Sequence, residues 1–386
     1  MSLTTQLYGG ELGRWCEEHF TATANFGARV TAAARARTPV RPAGQVTPDH
    51  WAAIGGAFGQ RLAFLTQAAP PYYSLYGLVR AGIVSRAWAD QQAATWPTHA
   101  SLPPVDAARA LELRPTPTGW ADLGPAVPTS VQTTADEPHL AEFFARLIGY
   151  LGQHAPPGSV GSPGVEAGLA RACAVVSDWE DAYRSDTLPA DLLDLHRRGR
   201  PTVEELRATV PDSSVTELVA LVGQLRTSGA LDELRRIAGD PPPGQSLGIA
   251  APAVVHHWAD GDLLVGRTLL DVKTVIKVDR PERVARWLWQ LVAYAWLDTG
   301  DRWGIRSVGL YLARHGVLIT WGLDTMADYL LGRTGAAAAG AREEFLTLAR
   351  RVIRDEGGTP PGPWQPRMVT LGRHVPPEPA PTAREF

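Results

Sequence analysis

The sequence predicts a mixed α/β fold, in which a small mixed sheet with flanking helices is joined to large helical additions. Two observations support this prediction. Apolar residues recur at helical spacing from the start of the chain to about residue 249, which is typical of amphipathic helices. Beyond residue 250, β-branched and leucine-rich runs indicate the order strand, strand, helix, strand, strand. We therefore expect the chemistry of the protein to lie between about residues 250 and 321.

The composition is that of an ordinary globular protein. Of the 386 residues, 45% are hydrophobic and 20% are charged, and the formal net charge is -3 at pH 7. This charge gives no global basic field, although a basic cleft can occur on a mildly acidic protein. The two cysteines, Cys16 and Cys173, provide neither a disulfide framework nor a zinc cluster. The sequence shows no signal-peptide pattern and no apolar run that could span a bilayer, so we expect a cytoplasmic protein without a membrane segment.

Four regions are predicted along the chain. Residues 1–123 form a helix-rich region, which includes the amphipathic run "HWAAIGGAFGQRLAFLTQ" after an N-cap-like Thr-Pro. Residues 124–249 contain a linker and three further helices, and they end at the helix-breaking "GDPPPGQS". Residues 250–356 form the α/β core, and residues 357–386 form a Pro-rich tail.

Two hairpins and three helices are predicted within this core. The runs "APAVVHHWADGDLLV" and "RTLLDVKTVIKV" indicate two strands with a tight turn at Gly266 and Arg267. The run "RPERVARWLWQLVAYAWLDTG" indicates a helix with proline early and glycine at its end. A second hairpin, "IRSVGLYLARHG" and "VLITWGL", turns at His315 and Gly316, and two helices follow it.

The charged residues in the first hairpin are the main candidates for chemistry. Asp271 and Lys273 lie two apart in a predicted strand, so their side chains point the same way. Asp262 starts the preceding strand and can approach them across an antiparallel hairpin. Two carboxylates and a backbone carbonyl suit Mg²⁺ or Mn²⁺, which can lower the pKa of a bound water. Lys273 could position that water or offset charge on a phosphate, so the set predicts phosphodiester hydrolysis.

The helix after this hairpin adds polar groups. Gln290 and Tyr294 are four residues apart and therefore neighbours on one helical face. Arg283 and Arg286 fall on or near the same face. Such a face can bind a phosphate backbone and hold the attacking water, so we predict Arg283 and Arg286 to be substrate-binding residues.

Asp262, the "DVK" at 271–273 and the "QLVAY" at 290–294 together resemble the PD-(D/E)XK nuclease superfamily. The trailing Gln-x-x-x-Tyr is similar to the RecB-like and CRISPR-associated exonuclease branch. The resemblance implies a restriction-endonuclease-like core and Mg²⁺-dependent cleavage of DNA, in defence against foreign DNA or in DNA repair, with a partner protein of the same system as a further expectation. It also implies that Asp262 and Asp271 are metal ligands, that Lys273 is the catalytic lysine, and that Gln290 and Tyr294 support the active site.

Two departures from the family pattern leave the metal ligands open. The first acid follows Gly261 instead of proline, and Asp260 competes with Asp262 for its role. The branch tends to place a His or Glu ligand on a leading helix, where this chain has Gln60; His256 and His257 could substitute from the strand edge.

Two other classes of protein remain as alternatives. One is a catalytically degenerate nuclease fold that binds nucleic acid or a partner protein without cutting it. The other is a structural interaction protein, in which Asp271 and Lys273 form an ion pair.

Overall fold

The fold is taken from a computed structural model of the chain, which describes residues 2–42, 46–97, 134–255 and 258–363. The predicted mixed α/β class is confirmed, since the protein is mostly helical and a small five-stranded mixed sheet lies among the helices. The predicted boundary at residue 123, the tail beyond residue 363, and His256 and His257 lie outside the described residues.

Six described helices lie before residue 97. They are α1 (Leu3–Gly9), α2 (Glu11–His19), α3 (Thr23–Arg35), α4 (Pro48–Thr66), α5 (Tyr72–Arg80) and α6 (Arg86–Ala94). Helix α1 begins after Ser2, whose side chain accepts a hydrogen bond from the Thr5 amide and so caps the helix. Helix α4 begins at Pro48, where the missing N–H of proline leaves no donor unsatisfied.

Six further helices lie between residues 134 and 240. They are α7 (Glu137–His154), α8 (Pro163–Ser185), α9 (Ala190–Arg198), α10 (Val203–Ala208), α11 (Asp212–Thr227) and α12 (Ala230–Ile237). The last of the three helices predicted here is divided into α11 and α12, because Gly229 adopts a left-handed conformation with φ of +81°. Helix α8 is the longest of the six and packs against α4, α5 and α11.

The described strands lie between residues 248 and 322. One helix interrupts them, and two further helices follow the last strand. The strands are β1 (Gly248–Ala250), β2 (Ala253–Val255), β3 (Ala259–Asp260), β4 (Leu263–Val265), β5 (Thr268–Lys273), β6 (Ser307–Leu312) and β7 (Val317–Gly322). The helices are α13 (Pro281–Leu297), between β5 and β6, then α14 (Leu323–Leu331) and α15 (Gly335–Asp355). The main sheet has the order β1-β4-β5-β6-β7, and β5–β6 is its parallel pair.

Both predicted hairpins are present. Val265 pairs with Thr268 across the turn at Gly266 and Arg267, and Gly266 has φ of +55°. The second hairpin turns through a short 3₁₀ helix at Ala313–His315 and through Gly316, with φ of +61°.

The first predicted strand is corrected by the structure. Its run is divided into β2, β3 and β4, and β2 and β3 form a separate two-stranded ribbon. Pro252, which has no N–H for a ladder, separates β1 from β2. The second run ends earlier than predicted, at Lys273, because β6 ends at its partner Leu312 and because Thr274 O accepts a hydrogen bond from Arg314 Nε at 2.8 Å.

The sheet separates two apolar clusters. Leu270 and Tyr311 belong to the cluster formed with α4, α7, α8 and α11, whereas Leu269 and Leu310 belong to the cluster formed with α1, α2, α13 and α15. Since side chains alternate along a strand, Asp271 and Lys273 lie on the same face as Leu269, towards α13. No helix in the described ranges is long and apolar enough to cross a membrane.

Candidate active site

A cleft of about 470 Å³ opens where β5 ends. Its walls come from β4 and β5, from α13, from the middle of α4, from the end of α8 and from the start of α1. Gly55, Gly56 and Gly59 form the α4 wall, so no side chains from these positions fill the space. Asp262, Asp271, Lys273, Gln290 and Tyr294 all line this cleft.

Asp271 and Lys273 form a close ion pair in the cleft. Asp271 is 4% exposed, and Lys273 Nζ lies 2.9 Å from Oδ1 and 2.7 Å from Oδ2. Both carboxylate oxygens of Asp271 thus contact the same ammonium, and Oδ1 is the one that accepts its hydrogen bond. Burial raises the pKa of Asp271, and the Asp262 carboxylate adds to this rise, while Lys273 opposes both. An additional cation beside Asp271 would therefore stabilise its charged form.

Asp262 is held against β5 by a backbone contact. Its Oδ2 accepts a hydrogen bond from the Val272 amide at 2.6 Å, which places it beside Asp271 on the neighbouring strand. The side chain is open to water within the cleft, yet protein groups surround it, and this desolvation raises the pKa of Asp262. Asp260 lines the same cleft, but it lies 4.0 Å from Arg184. Asp262 is thus the acid that the structure places next to Asp271.

Lys273 connects the two acids to the helix. Burial alone would lower the pKa of Lys273, but the carboxylates of Asp271 and Asp262 raise it. The ammonium also donates to Gln290 Oε1 at 3.3 Å and lies 5.9 Å from the centroid of the Trp287 ring. Lys273 is therefore a charged donor with fixed partners on both sides.

Gln290 and Tyr294 are buried neighbours on α13. Gln290 Nε2 donates to Tyr294 Oη at 3.0 Å and to Thr4 Oγ1 at 3.2 Å. Burial raises the pKa of Tyr294, as do the nearby Asp262 and Asp271 carboxylates. Tyr294 is consequently a neutral hydroxyl at any ordinary pH, available as a hydrogen-bonding group.

The two predicted substrate-binding arginines do not line the cleft. The Arg283 guanidinium lies 5.3 Å from the centroid of the Trp287 ring, whose other neighbour is Lys273. Arg286 lies 4.7 Å from the centroid of the Tyr8 ring and lines a separate groove beside α2 and α3. Arg283 therefore shares the Trp287 ring with Lys273 without lining the cleft, and Arg286 belongs to the separate groove.

Helix α8 supplies charged groups that the sequence reasoning missed. Glu180 accepts hydrogen bonds from Gln60 Nε2 at 2.5 Å and from Arg184 Nε at 2.6 Å, and Asp181 lines the cleft beside it. Gln60 lies at the position expected for a leading-helix ligand, and in the structure it contacts an acid from another helix. The acid-rich "SDWEDAYR" in an amphipathic helix is the one sequence feature that indicates these cleft residues. The same pattern also occurs on solvated helix faces, so it does not identify a site.

The cleft is more acidic than basic. Its charged side chains in the described part of the chain are Glu180, Asp181, Asp260, Asp262, Asp271, Arg184 and Lys273. Five carboxylates and two cations attract metal ions more readily than phosphates. Across the described residues, no three or more His, Cys, Asp or Glu side chains are grouped to hold a metal ion by themselves.

The lysine at position 273 is unusual for this chain. Lysine and arginine together number 37, yet lysine occurs only at positions 273 and 277. An ammonium is a compact point charge, whereas guanidinium is a broad planar group that binds two oxygens at once. Position 273 therefore carries a compact charge in a chain whose Lys and Arg residues, apart from Lys277, are otherwise all arginines.

Comparison with known proteins found no family model, no curated protein and no solved structure that matches this chain.

Proposed function

We propose that this chain is a metal-dependent nuclease that hydrolyses DNA phosphodiester bonds. The observation that carries the proposal is the convergence of Asp262, Asp271, Lys273, Gln290 and Tyr294 on one cleft, although they span 33 positions of the sequence. Their positions at the end of β5 and on the crossover helix α13 agree with the resemblance to the PD-(D/E)XK superfamily and its restriction-endonuclease-like core.

The two acids fit a magnesium or manganese ion. Mg²⁺ is usually bound through one or two carboxylates, with water and substrate phosphates completing its shell. Asp262 and Asp271 supply two carboxylates side by side, the first in contact with the Val272 amide and the second with the Lys273 ammonium. When bound, such an ion supplies charge stabilisation at the phosphate and an acidified water.

The remaining groups have roles that follow from their contacts. Lys273, with its charge maintained by the two acids, offsets negative charge that develops on the phosphate. Gln290 fixes the ammonium through Oε1, and Tyr294 fixes the amide of Gln290 in turn. Arg283, which shares the Trp287 ring with Lys273, would add a positive charge that attracts the phosphate backbone.

One observation favours the alternative of a degenerate member that binds without cutting. Lys273 lies within 2.7 Å of Asp271, so the ammonium occupies part of the space beside the acid that a metal would need. A protein that retained the fold and lost turnover would keep such an ion pair.

The test is cleavage of linear and circular DNA in Mg²⁺, in Mn²⁺ and with a chelator. We expect Asp271→Asn and Lys273→Met to lose activity by about 10²–10³-fold, as for other groups that stabilise transition-state charge. Lys277→Met is the matched control, because it removes the other lysine of the chain, which is exposed and outside the cleft.

The outcomes separate the two functions. Equal activity of wild type and Lys273→Met, or no cleavage by the wild type with either metal, would contradict the nuclease. Binding of DNA without cleavage, together with no Mn²⁺ uptake by calorimetry, would favour the degenerate member.

A further inference from the structure

The N-terminal helix reaches the candidate active site. Leu3 and Leu7 are buried at 0% and 2% exposure, so they anchor α1 in the cluster that also contains α13. The Leu3 amide donates to Trp258 O at 2.8 Å, and Gln6 Nε2 donates to Glu356 Oε1 at 2.5 Å. Glu356 Oε2 in turn accepts from Trp258 Nε1 at 2.7 Å. These contacts hold the exposed side of α1, with Thr4 upon it, against the cleft.

The direction of the hydrogen bonds at Gln290 follows from the chemistry of Lys273. An ammonium has three donors and no acceptor, so the group that faces Lys273 must be the amide oxygen of Gln290. The amide nitrogen of Gln290 consequently faces the opposite way, and its two hydrogens have two acceptors, Tyr294 Oη and Thr4 Oγ1. Every polar atom of the Gln290 amide thus has a partner.

We propose that Thr4 is a positioning residue of the active site, because its hydroxyl fixes the amide of Gln290 and through it the ammonium of Lys273. Tyr294 alone leaves one amide hydrogen of Gln290 without a partner, and the amide can then rotate away from Lys273. Thr4 supplies the second acceptor from a different part of the chain, 286 residues away. The expected effect on rate rests on the proposed nuclease function. The hydrogen bond from Gln290 to Thr4 does not depend on that function.

Thr4→Val tests the contact with little change of shape, since it replaces the hydroxyl by a methyl group. We expect kcat for DNA cleavage to fall about three- to ten-fold, the effect of one neutral hydrogen bond, with KM unchanged. Thr4→Ser keeps the hydroxyl and should restore most of the rate. Thr5→Val is the matched control, because Thr5 is the next residue of α1, is exposed and does not line the cleft, and its hydroxyl contacts Ser2 Oγ at 3.2 Å instead of Gln290.

A second measurement follows the amide itself. With ¹⁵N-labelled glutamine, the side-chain signals of Gln290 are identified by their loss in Gln290→Glu. We expect these signals to shift in Thr4→Val and to stay in place in Thr4→Ser and Thr5→Val.

The two measurements distinguish the possible failures. Unmoved Gln290 signals in Thr4→Val overturn the proposal, as does wild-type kcat in that variant when the wild-type protein is active. If the wild type is inactive while Thr4→Val shifts the Gln290 signals and the control does not, the positioning contact stands and the nuclease function fails.

Discussion

Gly59 offers a test of the cleft that barely affects the fold. It lies in the interior of α4, and a Cβ built on it meets nothing within 4 Å. At Gly56 a Cβ would lie only 2.2 Å from Ser177 Oγ, and at Gly55 it would lie 3.1 Å from Thr274 Oγ1. Gly59 is therefore the glycine of the three at which a side chain can be added into open space.

The expected magnitudes follow from helix propensity and from the size of the cleft. Gly59→Ala should stabilise the protein by roughly 0.5–1 kcal/mol, because alanine loses less backbone entropy than glycine in a helix. Gly56→Ala should gain less stability than Gly59→Ala, because its methyl group requires the Ser177 hydroxyl to move. Gly59→Phe places a ring in a cleft of about 470 Å³ and should abolish access of a nucleotide.

The assay combines thermal unfolding with DNA cleavage. The melting temperature of Gly59→Phe should stay within about 2 °C of wild type, while its cleavage and DNA binding are lost. Ala53→Phe is the control, since it adds the same ring to an exposed position of α4. A folded Gly59→Phe protein that cleaves DNA at the wild-type rate would show that the substrate does not use this cleft. A loss of stability in Gly59→Ala would contradict the open space at this position.

Three further predictions concern buried charges. Arg61 makes two hydrogen bonds to the Glu166 carboxylate, at 2.8 and 2.9 Å, with both side chains at least 96% buried. Arg61→Met should lower the free energy of unfolding, measured in urea, by about 3–5 kcal/mol, because it leaves the Glu166 charge buried without its partner. The double variant Arg61→Met/Glu166→Leu should recover most of this loss. Burial lowers the pKa of His196, against the opposing effect of its contact with Asp136. Because the unfolded chain takes up the proton at higher pH than the folded chain, the free energy of unfolding should fall as pH drops below about 6.5. The slope of the free energy of unfolding against pH should be shallower in His196→Gln. Equal slopes in the two proteins would refute this prediction. Burial, with a contribution from the Asp181 carboxylate, raises the pKa of Asp178 to about 7, so its charge destabilises the folded state increasingly as pH rises from 4 to 7. Asp178→Asn should therefore be more stable than wild type at pH 8, by at most about 4 kcal/mol, and no more stable at pH 4, as measured by urea unfolding at both values.

The sequence allowed the local elements of the core to be predicted, because local rules determine them. The turn at Gly266 and the start of the helix at Pro281 follow from glycine, proline and apolar spacing, and both are present, while the helix ends at Leu297, three residues before Gly300. The approach of Asp262 to Asp271 also follows from an antiparallel hairpin, whereas its contact with the Val272 amide is seen only in the structure.

Other features depend on tertiary packing and could not be predicted. Gln290 finds Thr4 only because α1 packs on α13, and Glu180 reaches the cleft only because α8 packs on α4. The helical angle predicts Arg286 near Gln290, but the exposed ring of Tyr8 from another helix provides its contact instead. Spacing along one helix indicates which side chains share a face and leaves open what that face contacts.

The scarcity of lysine has a practical consequence for the study of this site. An amine-directed acylating reagent has two side-chain targets in the protein, one within the cleft and the other exposed on the loop after β5. The exposed amine provides an internal reference for reagent strength in every sample. The ratio of acylation at Lys273 to that at Lys277, measured by mass spectrometry, therefore reports how tightly the ammonium is held by Asp271, in the unsubstituted protein and with each metal or nucleic acid added.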